Sequence, residues 1–231
     1  MQRNRFRFTR SVAWRETYPT AAVGVLVMSG VANPSHHEGL ERQKKELEKE
    51  LWDRFHGQDR AAIKAIPVVR AYSDYYMRFG KTYHVQLQLE SVALKRKPIP
   101  RGATLVEALF MAELRNQMLT AGHDMDAVQM PVGVGVSDGS ESYVRINGQH
   151  QQVKAGDMII SDSRGIISCI IYGPDQRTRI TPTTREVLFT AYAPPGIDRD
   201  ALRRHLGDIR TNVSIVAPGA QVEVLDVYGT E

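Results

Sequence analysis

The residues of this chain that could do chemistry are scattered histidines, carboxylates and arginines rather than one compact catalytic motif. His36 and His37 are adjacent, so a helix cannot present them as a zinc-binding pair at positions i and i+4. The single Cys169 excludes an intramolecular disulfide and a multi-cysteine zinc site, and its apolar neighbours are typical of a buried strand. The other histidines weighed as ligands are isolated from one another: His123, His150 and His205. The sequence therefore predicts no metal and no other cofactor.

Phosphate-binding loops and activated nucleophiles are not indicated either. Residues 133–140 are glycine-rich but lack the order Gly-x-Gly-x-x-Gly. Residues 79–82 match the end of a phosphate loop, but Tyr75 occupies the position of that motif's first glycine. No Gly-x-Ser-x-Gly segment surrounds any serine, and Cys169 has no histidine at a familiar spacing. A hydrolase built on this chain would therefore have to position a water molecule for direct attack.

A basic connector is the clearest candidate for binding a polyanion. Lys95, Arg96, Lys97 and Arg101 flank two prolines, which stiffen the segment. Contacts to nucleic-acid phosphates require little beyond such charges. An ordinary solvated surface would have the same composition, so the charges alone leave both interpretations open.

The composition is that of an ordinary globular protein. The chain has 231 residues, of which 42% are hydrophobic and 24% charged, with a net charge of +4 and a pI near 9.2. The residues after Pro194 are too few for an independent core, so we expect one domain over residues 1–231. Residues 1–10 lack the apolar core of a secretion signal, and no long uncharged apolar stretch follows. We therefore expect a cytoplasmic protein without a membrane partner.

Helical periodicity dominates the first half of the chain. Residues 21–33 predict a buried strand, after which Ser35 and Glu38 match a capping box at the start of an amphipathic helix that ends near Phe55. Residues 59–121 predict further helices in pieces, with Gly122 closing the last one.

Strand patterns take over after residue 126. Asn147-Gly148 predicts a hairpin with a tight primed turn. Further strands are expected at residues 157–161, 166–172 and 186–193, followed by a short helix over residues 198–209 and a closing hairpin formed by residues 213–217 and 221–228. Because helices precede strands instead of alternating with them, the predicted class is α+β, with a helical first half and mainly antiparallel strands in the second.

Two segments together resemble a known family. Residues 159–189, IISDSRGIISCIIYGPDQRTRITPTTREVLF, contain an apolar-x-Asp-x-x-Gly run, a Gly-Pro-Asp loop and a threonine-rich stretch leading into a strand. Residues 106–127, VEALFMAELRNQMLTAGHDMDA, run along a helix into a polar segment. In this order and spacing the two segments resemble the editing domain (the B3/B4 domain) of the phenylalanyl-tRNA synthetase beta subunit, where the corresponding motifs include Gly-Gln-Pro-Leu-His-Ala and a Gly-Gly-acid loop. The resemblance spans roughly residues 70–193.

The resemblance implies a set of substrate-binding residues. The family's pocket histidine falls on Asp126, an upstream asparagine on Arg115 (or, with a slip of one residue, on Asn116), and the acid of the Gly-Gly-acid loop on Asp175. Backbone amides near Gly133 and Gly173 would stabilise an oxyanion. Since the histidine and the asparagine are both replaced, the pocket would accept something other than tyrosine. A structural ion-pair network among Arg115, Asp126 and Asp175 is the alternative.

The resemblance also implies a function. A freestanding relative of this domain would deacylate mischarged aminoacyl-tRNA in trans with a positioned water, using Lys95, Arg96, Lys97 and Arg101 to bind the tRNA. The alternative is a non-catalytic module of the same fold that binds tRNA or an amino acid. A third possibility is a structural subunit that associates with an aminoacyl-tRNA synthetase through the helix at residues 37–55. No DNA partner is expected.

Overall fold

Two sheets and a separate hairpin form the β structure of the computed structural model, which describes residues 6–231. The strands are β1 (Phe8–Arg10), β2 (Ala22–Ser29), β3 (Thr120–Asp124), β4 (Val132–Val136), β5 (Ser142–Val144), β6 (His150–Gln152), β7 (Met158–Asp162), β8 (Gly165–Cys169), β9 (Gly173–Pro174), β10 (Glu186–Ala193) and β11 (Gln221–Tyr228). One sheet has the order β1-β4-β7-β8-β9, the other the order β11-β2-β10-β3, and β5 pairs with β6. Every pairing is antiparallel except that of β1 with β4.

The helices precede most of the strands, as predicted for an α+β fold. They are α1 (Val12–Thr17), α2 (Glu38–Arg54), α3 (Arg60–Ala65), α4 (Pro67–Met77), α5 (His84–Leu89), α6 (Thr104–Asn116) and α7 (Arg199–Val216). A π-helical turn at Glu90–Leu94 continues α5, and a 3₁₀ turn at Met125–Ala127 follows β3. The strands predicted at residues 21–33, 157–161, 166–172 and 186–193 are confirmed as β2, β7, β8 and β10 within a few residues.

The core of the molecule is centred on β2 and β10. These two strands pair over eight residues, and β3 and β11 lie on their outer edges. Nearly every residue of both strands is buried, because helices cover one face of this sheet and the other sheet lies near its second face. Helix α7 packs so closely on β2 that a Cβ atom at Gly24 would lie 3.1 Å from side-chain atoms of Leu202 and Leu206. Glycine at this position therefore permits the helix to approach the sheet.

Three local predictions were wrong. Residues 213–216 continue α7 instead of forming a strand, because Leu206, Ile209 and Val213 extend one buried helical face. The N-cap of α2 is His37, whose Nδ1 accepts the Leu40 N–H at 3.4 Å, so Ser35 does not cap it. Residues 120–124 form β3, because α6 already ends at Asn116.

The hairpin predicted around Asn147 is present with a different turn. The Gly148 N–H donates to the Arg145 carbonyl at 2.8 Å, and the Arg145 N–H donates to the Gln149 carbonyl at 2.9 Å. This pattern makes a three-residue loop in which Gly148 adopts a φ of +82°, in place of the two-residue primed turn. The glycine supplies the left-handed conformation that closes the bulge.

The first and last described segments lie side by side. The rings of Phe8 and Tyr228 stack with centroids 4.5 Å apart, and Arg10 Nη1 donates to the Gly229 carbonyl at 3.0 Å. Thr230 Oγ1 also donates to the carbonyl of Pro19. Within residues 6–231, none of the helices has both the length and the apolar character that crossing a bilayer requires. Residues 1–5, which belong to the segment inspected for a secretion signal, lie outside the described residues.

Candidate functional site

A small cavity lies where the C-terminal end of α6 meets β3 and the loop before β9. Its volume is about 120 Å³, and we call it the inner cavity. Its lining residues are His84, Glu113, Leu119, Thr120, Ala121, Cys169, Gly173, Pro174 and Tyr192. Drug-sized ligands occupy pockets of about 300–1,000 Å³, so this cavity suits a smaller group.

Glu113 is the ionisable group buried in the wall of the inner cavity. Its Oε1 accepts the backbone N–H of Thr120 at 2.7 Å, and no other hydrogen bond to its carboxyl is present among residues 6–231. Burial raises the pKa of Glu113 to about 8, against the opposing effect of the Thr120 N–H. The carboxyl is therefore mostly protonated at neutral pH and can donate a hydrogen bond.

His84 lies at the exposed edge of the same cavity, at the first residue of α5. Its Nδ1 is 3.2 Å from the hydroxyl oxygen of Tyr76, and that hydroxyl donates its single proton to the Ile170 carbonyl at 2.8 Å. The Tyr76 oxygen must therefore accept, which places the proton of the neutral imidazole on Nδ1 and leaves Nε2 with a free lone pair. Desolvation lowers the pKa of His84 below its usual value, which favours this neutral form at neutral pH.

The remaining walls of the inner cavity are held by buried hydrogen bonds. Thr120 Oγ1 is 2.7 Å from His205 Nε2, and the Tyr192 hydroxyl is 2.6 Å from Ser168 Oγ. Burial strongly raises the pKa of the Cys169 thiol, so this cysteine is not an activated nucleophile. Both sides of the cavity are thus rigidly positioned, and neither supplies a covalent catalyst.

Asp175 lies beside the inner cavity in a separate, wider pocket of about 400 Å³. The pocket is also lined by Arg164, Arg177 and Arg179, and we call it the Asp175 pocket. Asp175 Oδ1 accepts the backbone N–H of Thr178 at 3.0 Å and also its hydroxyl, while Oδ2 lies 3.7 Å from Arg177 Nε. Burial raises the pKa of Asp175 despite these partners. Its carboxylate is mostly engaged by the protein itself.

A buried histidine extends this hydrogen-bond chain. His123 Nδ1 is 2.8 Å from Thr178 Oγ1, which in turn donates to Asp175. The Nε2 atom of His123 is buried and has no partner among residues 6–231. Desolvation lowers the pKa of His123 to about 3, so the ring is neutral at physiological pH. Arg177, for its part, binds both oxygens of Asp162 at 2.9 Å.

The structure does not bring Arg115, Asp126 and Asp175 around one cavity. Arg115 pairs with Glu50 of α2 at 2.9 Å instead of with Asp126. Asp126 is exposed in the 3₁₀ turn, where its backbone N–H donates to Asp124. Arg115 precedes β3 and Asp126 follows it, and the strand between them spans about 13 Å. Asn116, the other position considered, donates to Asp208 at 2.8 Å and also contacts α7.

The two glycines expected near an oxyanion have different environments. Gly133 lies within β4, paired with β1 on one side and β7 on the other, and a Cβ atom there would lie 2.2 Å from Thr9 Oγ1. Its small size therefore serves sheet packing. Gly173 lines the inner cavity, adopts a φ of +79°, and accepts a hydrogen bond from the Tyr143 hydroxyl at 2.7 Å. Of the five predicted substrate-binding residues, only Gly173 lines this cavity.

The predicted RNA-binding connector is exposed and lies at the opposite end of α6. Lys95, Lys97 and Arg101 are exposed, and the Arg96 guanidinium lies 5.8 Å from the centre of the Trp52 ring. Thr104, the first residue of α6, is about 14 Å from Glu113 along the helix axis. The connector is therefore remote from the inner cavity. Residues 6–231 contain no group of three or more histidine, cysteine, aspartate or glutamate side chains that could hold a metal ion.

Glu113 and His84 are the cavity residues that were not predicted. A signal for Glu113 exists in the sequence, since it falls four residues after Leu109 on the buried face of α6. An acid at an apolar helical position is expensive to bury and marks a functional candidate. His84 gives no comparable signal, because its role depends on Tyr76 and on Gly173, which are brought to it by the fold.

Comparisons with known proteins identify the family. The family model of the B3/4 domain matches residues 72–215, more than half of the chain. A crystal structure of an N-terminal fragment of the phenylalanyl-tRNA synthetase beta subunit from Pyrococcus horikoshii has a similar fold, with a TM-score of 0.51 and 10% sequence identity over 96% of this chain. The chain spans about half of that fragment, 51%. A search of curated proteins found no match. The chain belongs to the B3/4 domain family.

Proposed function

We propose that this chain is an editing-type hydrolase that deacylates mischarged aminoacyl-tRNA in trans, with the inner cavity receiving the aminoacyl group. The observation that carries this proposal is the pairing, across one cavity of a B3/4 domain, of a protonated carboxyl and a neutral imidazole. Two titratable groups whose pKa values are shifted in opposite directions are typical of acid–base sites. The similar fold belongs to a fragment of a tRNA synthetase subunit, which supports tRNA as the partner.

The proposed step is hydrolysis of the ester between the amino acid and the terminal ribose. His84 Nε2 accepts a proton from a water molecule while the water oxygen bonds to the ester carbonyl carbon. The Glu113 carboxyl donates a hydrogen bond to the carbonyl oxygen as negative charge develops there. The bond to the ribose oxygen then breaks, and that oxygen takes the proton from His84. The products are the free amino acid and the uncharged tRNA.

The size of the inner cavity supports a small aminoacyl group as substrate. A volume of about 120 Å³ is small for an aromatic side chain but sufficient for a side chain of few atoms. We propose that the substrates are esters of small amino acids, in agreement with a pocket rebuilt away from tyrosine. Within this scheme Asp175 borders the entrance, where its pocket and three arginines could contact the tRNA end.

A different motif register also supports the inner cavity. If the family's Gly-Gln-Pro-Leu-His-Ala is placed five residues earlier, its glycine falls on Gln117, which has a φ of +56°. That left-handed conformation favours glycine and is uncommon for other residues. The family's histidine then falls on Ala121, which lines the inner cavity, whereas Asp126 is exposed. The imidazole of His84 would take over from the lost histidine.

Deacylation rates on a panel of mischarged tRNAs test the proposal. The wild-type chain should hydrolyse one or more esters of small amino acids faster than buffer, and His84→Gln should lower that rate by roughly 10²- to 10⁴-fold. The matched control is His150→Gln, since His150 is exposed on β6 and lies outside the cavity lining. If the wild type retains an ester on the tRNA without hydrolysing it, the chain is instead a non-catalytic binding module. An aminoacyl-tRNA synthetase that produces the error would be a natural partner.

A further inference from the structure

A second concave surface, lined by cations, lies on the helical side of the molecule. It has a volume of about 280 Å³ and is formed by α3, α4 and the segment that leads into α5; we call it the α4 groove. Its lining residues are Arg60, Lys64, Arg70, Ser73, Met77, Lys81, Thr82, Tyr83 and Gln86. Four of these side chains are cationic and none is acidic, in a chain whose net charge is only +4.

The charges of the α4 groove are largely available to a ligand. Neither Lys64 nor Arg70 has an ion-pair partner among residues 6–231, and both are exposed. Arg60 uses its Nε to bind Glu90 at 2.9 Å, while Gln86 donates to the same Glu90 oxygen at 2.6 Å. Glu90 therefore anchors one edge of the groove and leaves the terminal nitrogens of Arg60 without a described partner. Such a surface attracts an anion with several charges.

The α4 groove and the inner cavity are neighbours along the chain. Lys81 lines the groove and His84 lines the cavity, and the three peptide units between them span at most about 10 Å. Lys81 Nζ also lies 5.9 Å from the centre of the Tyr172 ring, next to the cavity residue Gly173. A ligand with a reactive end in the cavity would therefore reach the groove with the part immediately behind that end.

We propose that the α4 groove binds the backbone phosphates nearest the 3′ end of the RNA whose terminal ester enters the inner cavity. This inference rests on the proposed function. Successive phosphates of one strand are about 3.4 Å apart along a helix axis, so a reach of about 10 Å corresponds to the last three or so nucleotides. Lys64, Arg70 and Lys81 contact phosphate, and these contacts set the position of the RNA end without reading its sequence. The connector at residues 95–101 is too remote for this task.

Binding of an unacylated RNA hairpin that carries a single-stranded 3′ end tests the groove apart from hydrolysis. Affinity is measured by fluorescence anisotropy over a series of salt concentrations for the wild type and for the double variant Lys64→Gln/Arg70→Gln. Each lost phosphate contact lowers the slope of log affinity against log salt by about one unit, so the double variant should lose about two. The matched control is Arg203→Gln/Arg210→Gln, which removes the same charge from the exposed face of α7.

The same hairpin without its last three nucleotides supplies the second arm. The wild type and the groove variant should bind this shortened RNA equally, because the phosphates that distinguish them are gone. A groove variant with the wild-type slope on the full hairpin overturns the proposal, as does an equal loss in the α7 control. A loss of slope that persists on the shortened RNA shows a general polyanion surface and also overturns it. Since the RNA carries no ester, a chain that fails to deacylate any tRNA leaves these outcomes unchanged.

Discussion

At the scale of single residues, the inner cavity depends on a carboxyl group placed where only apolar atoms are expected. Glu113 is almost completely buried, and a single backbone N–H compensates its polarity. A buried carboxyl avoids the cost of desolvating its charge by remaining protonated. The same shift that makes Glu113 costly for folding at high pH makes it a hydrogen-bond donor at neutral pH. Its charge state should therefore be visible in both activity and stability.

The rate of deacylation should depend on pH in a bell-shaped manner. The proposed mechanism needs His84 neutral, with its pKa below the usual value, and Glu113 protonated, with a pKa of about 8. The value of kcat/KM should rise through the first pKa and fall through the second. Glu113→Gln keeps a donor in place and should remove the fall near pH 8. Glu50→Gln is the control, because Glu50 pairs with Arg115 away from the cavity; loss of the same limb in that variant would contradict the assignment.

Glu113→Gln should also stabilise the fold at alkaline pH. The pKa of Glu113 is raised from 4.5 to about 8 on folding, so its proton favours the folded state at low pH. That contribution is lost as pH rises from about 4.5 through about 8, and its full size is on the order of 4 kcal/mol at 1.4 kcal/mol per pKa unit. Urea unfolding at about pH 5 should therefore give similar free energies for both proteins, and at about pH 9 a higher one for the variant. Equal free energies at both pH values would mean that Glu113 is ionised in the fold.

The site was only partly predictable because the resemblance supplied the loop but not the neighbours of each residue. Gly173 was predicted, and it lines the cavity with the positive φ that a glycine provides. Arg115 and Asp126 were chosen from a degenerate motif whose register could slide, and neither side chain lies at the cavity. Glu113 could have been found from its apolar helical position. His84 required the hydrogen bond to Tyr76, which joins residues in different helices.

At the scale of elements, β1 illustrates how a glycine selects a strand partner. β1 is only three residues long and pairs in parallel with β4, where Thr9 lies opposite Gly133. A short parallel pairing gains little from its own hydrogen bonds, so close contact between the two backbones matters. The side chain of Thr9 occupies the space that any Cβ atom at position 133 would need.

Gly133→Ala should therefore detach β1 from the sheet. The added Cβ atom would lie 2.2 Å from Thr9 Oγ1, and such overpacking typically costs about 1–3 kcal/mol. Gly135→Ala on the same strand is the control, because its Cβ atom would lie 3.5 Å from the nearest atom of Ile159. Urea unfolding and amide exchange at Thr9 and Arg10 measure the two effects. A Gly133→Ala protein with wild-type stability and protected amides would show that the contact with Thr9 yields easily.

Elements with a long, uniform pattern were predicted well, and those decided by their neighbours were not. β2 and β10 are apolar over eight residues each, which only a buried strand or helix explains, and their β-branched content favours the strand. α7 was cut short because Val213, Ile215 and Val216 have strand propensity. Packing of that helix against α6 and β2 overrides the local preference.

At the scale of the whole molecule, the order of elements was predictable because helical and alternating periodicities occupy different halves of the chain. The division into two sheets was not, since nothing local specifies that β4 joins β7 while β3 joins β10. The positive charge likewise forms two separate surfaces, the connector and the α4 groove. Only the connector is continuous in sequence, and only it was predicted.

The connector should contribute salt-sensitive affinity for a whole tRNA. Replacing Lys95, Arg96, Lys97 and Arg101 by glutamine removes up to four phosphate contacts, each worth about one unit of the slope of log affinity against log salt. Filter binding of whole tRNA at several salt concentrations gives that slope. The connector lies at the far end of α6, so the same variant should bind a short hairpin nearly as the wild type does. Unchanged affinity for whole tRNA at low salt would exclude the connector as a binding surface.

The stacking of Phe8 on Tyr228 has a topological consequence. Because the first and last described segments meet, a short linker could join them and new ends could be opened at the exposed Asn147-Gly148 turn without crossing the core. Such a circular permutant should fold, since no strand pairing is interrupted. By the same geometry, the domain could be carried inside a loop of a larger protein, entering and leaving its host through one narrow neck. The fold therefore does not require a position at the end of a polypeptide, and its cavity would face outward wherever it was inserted.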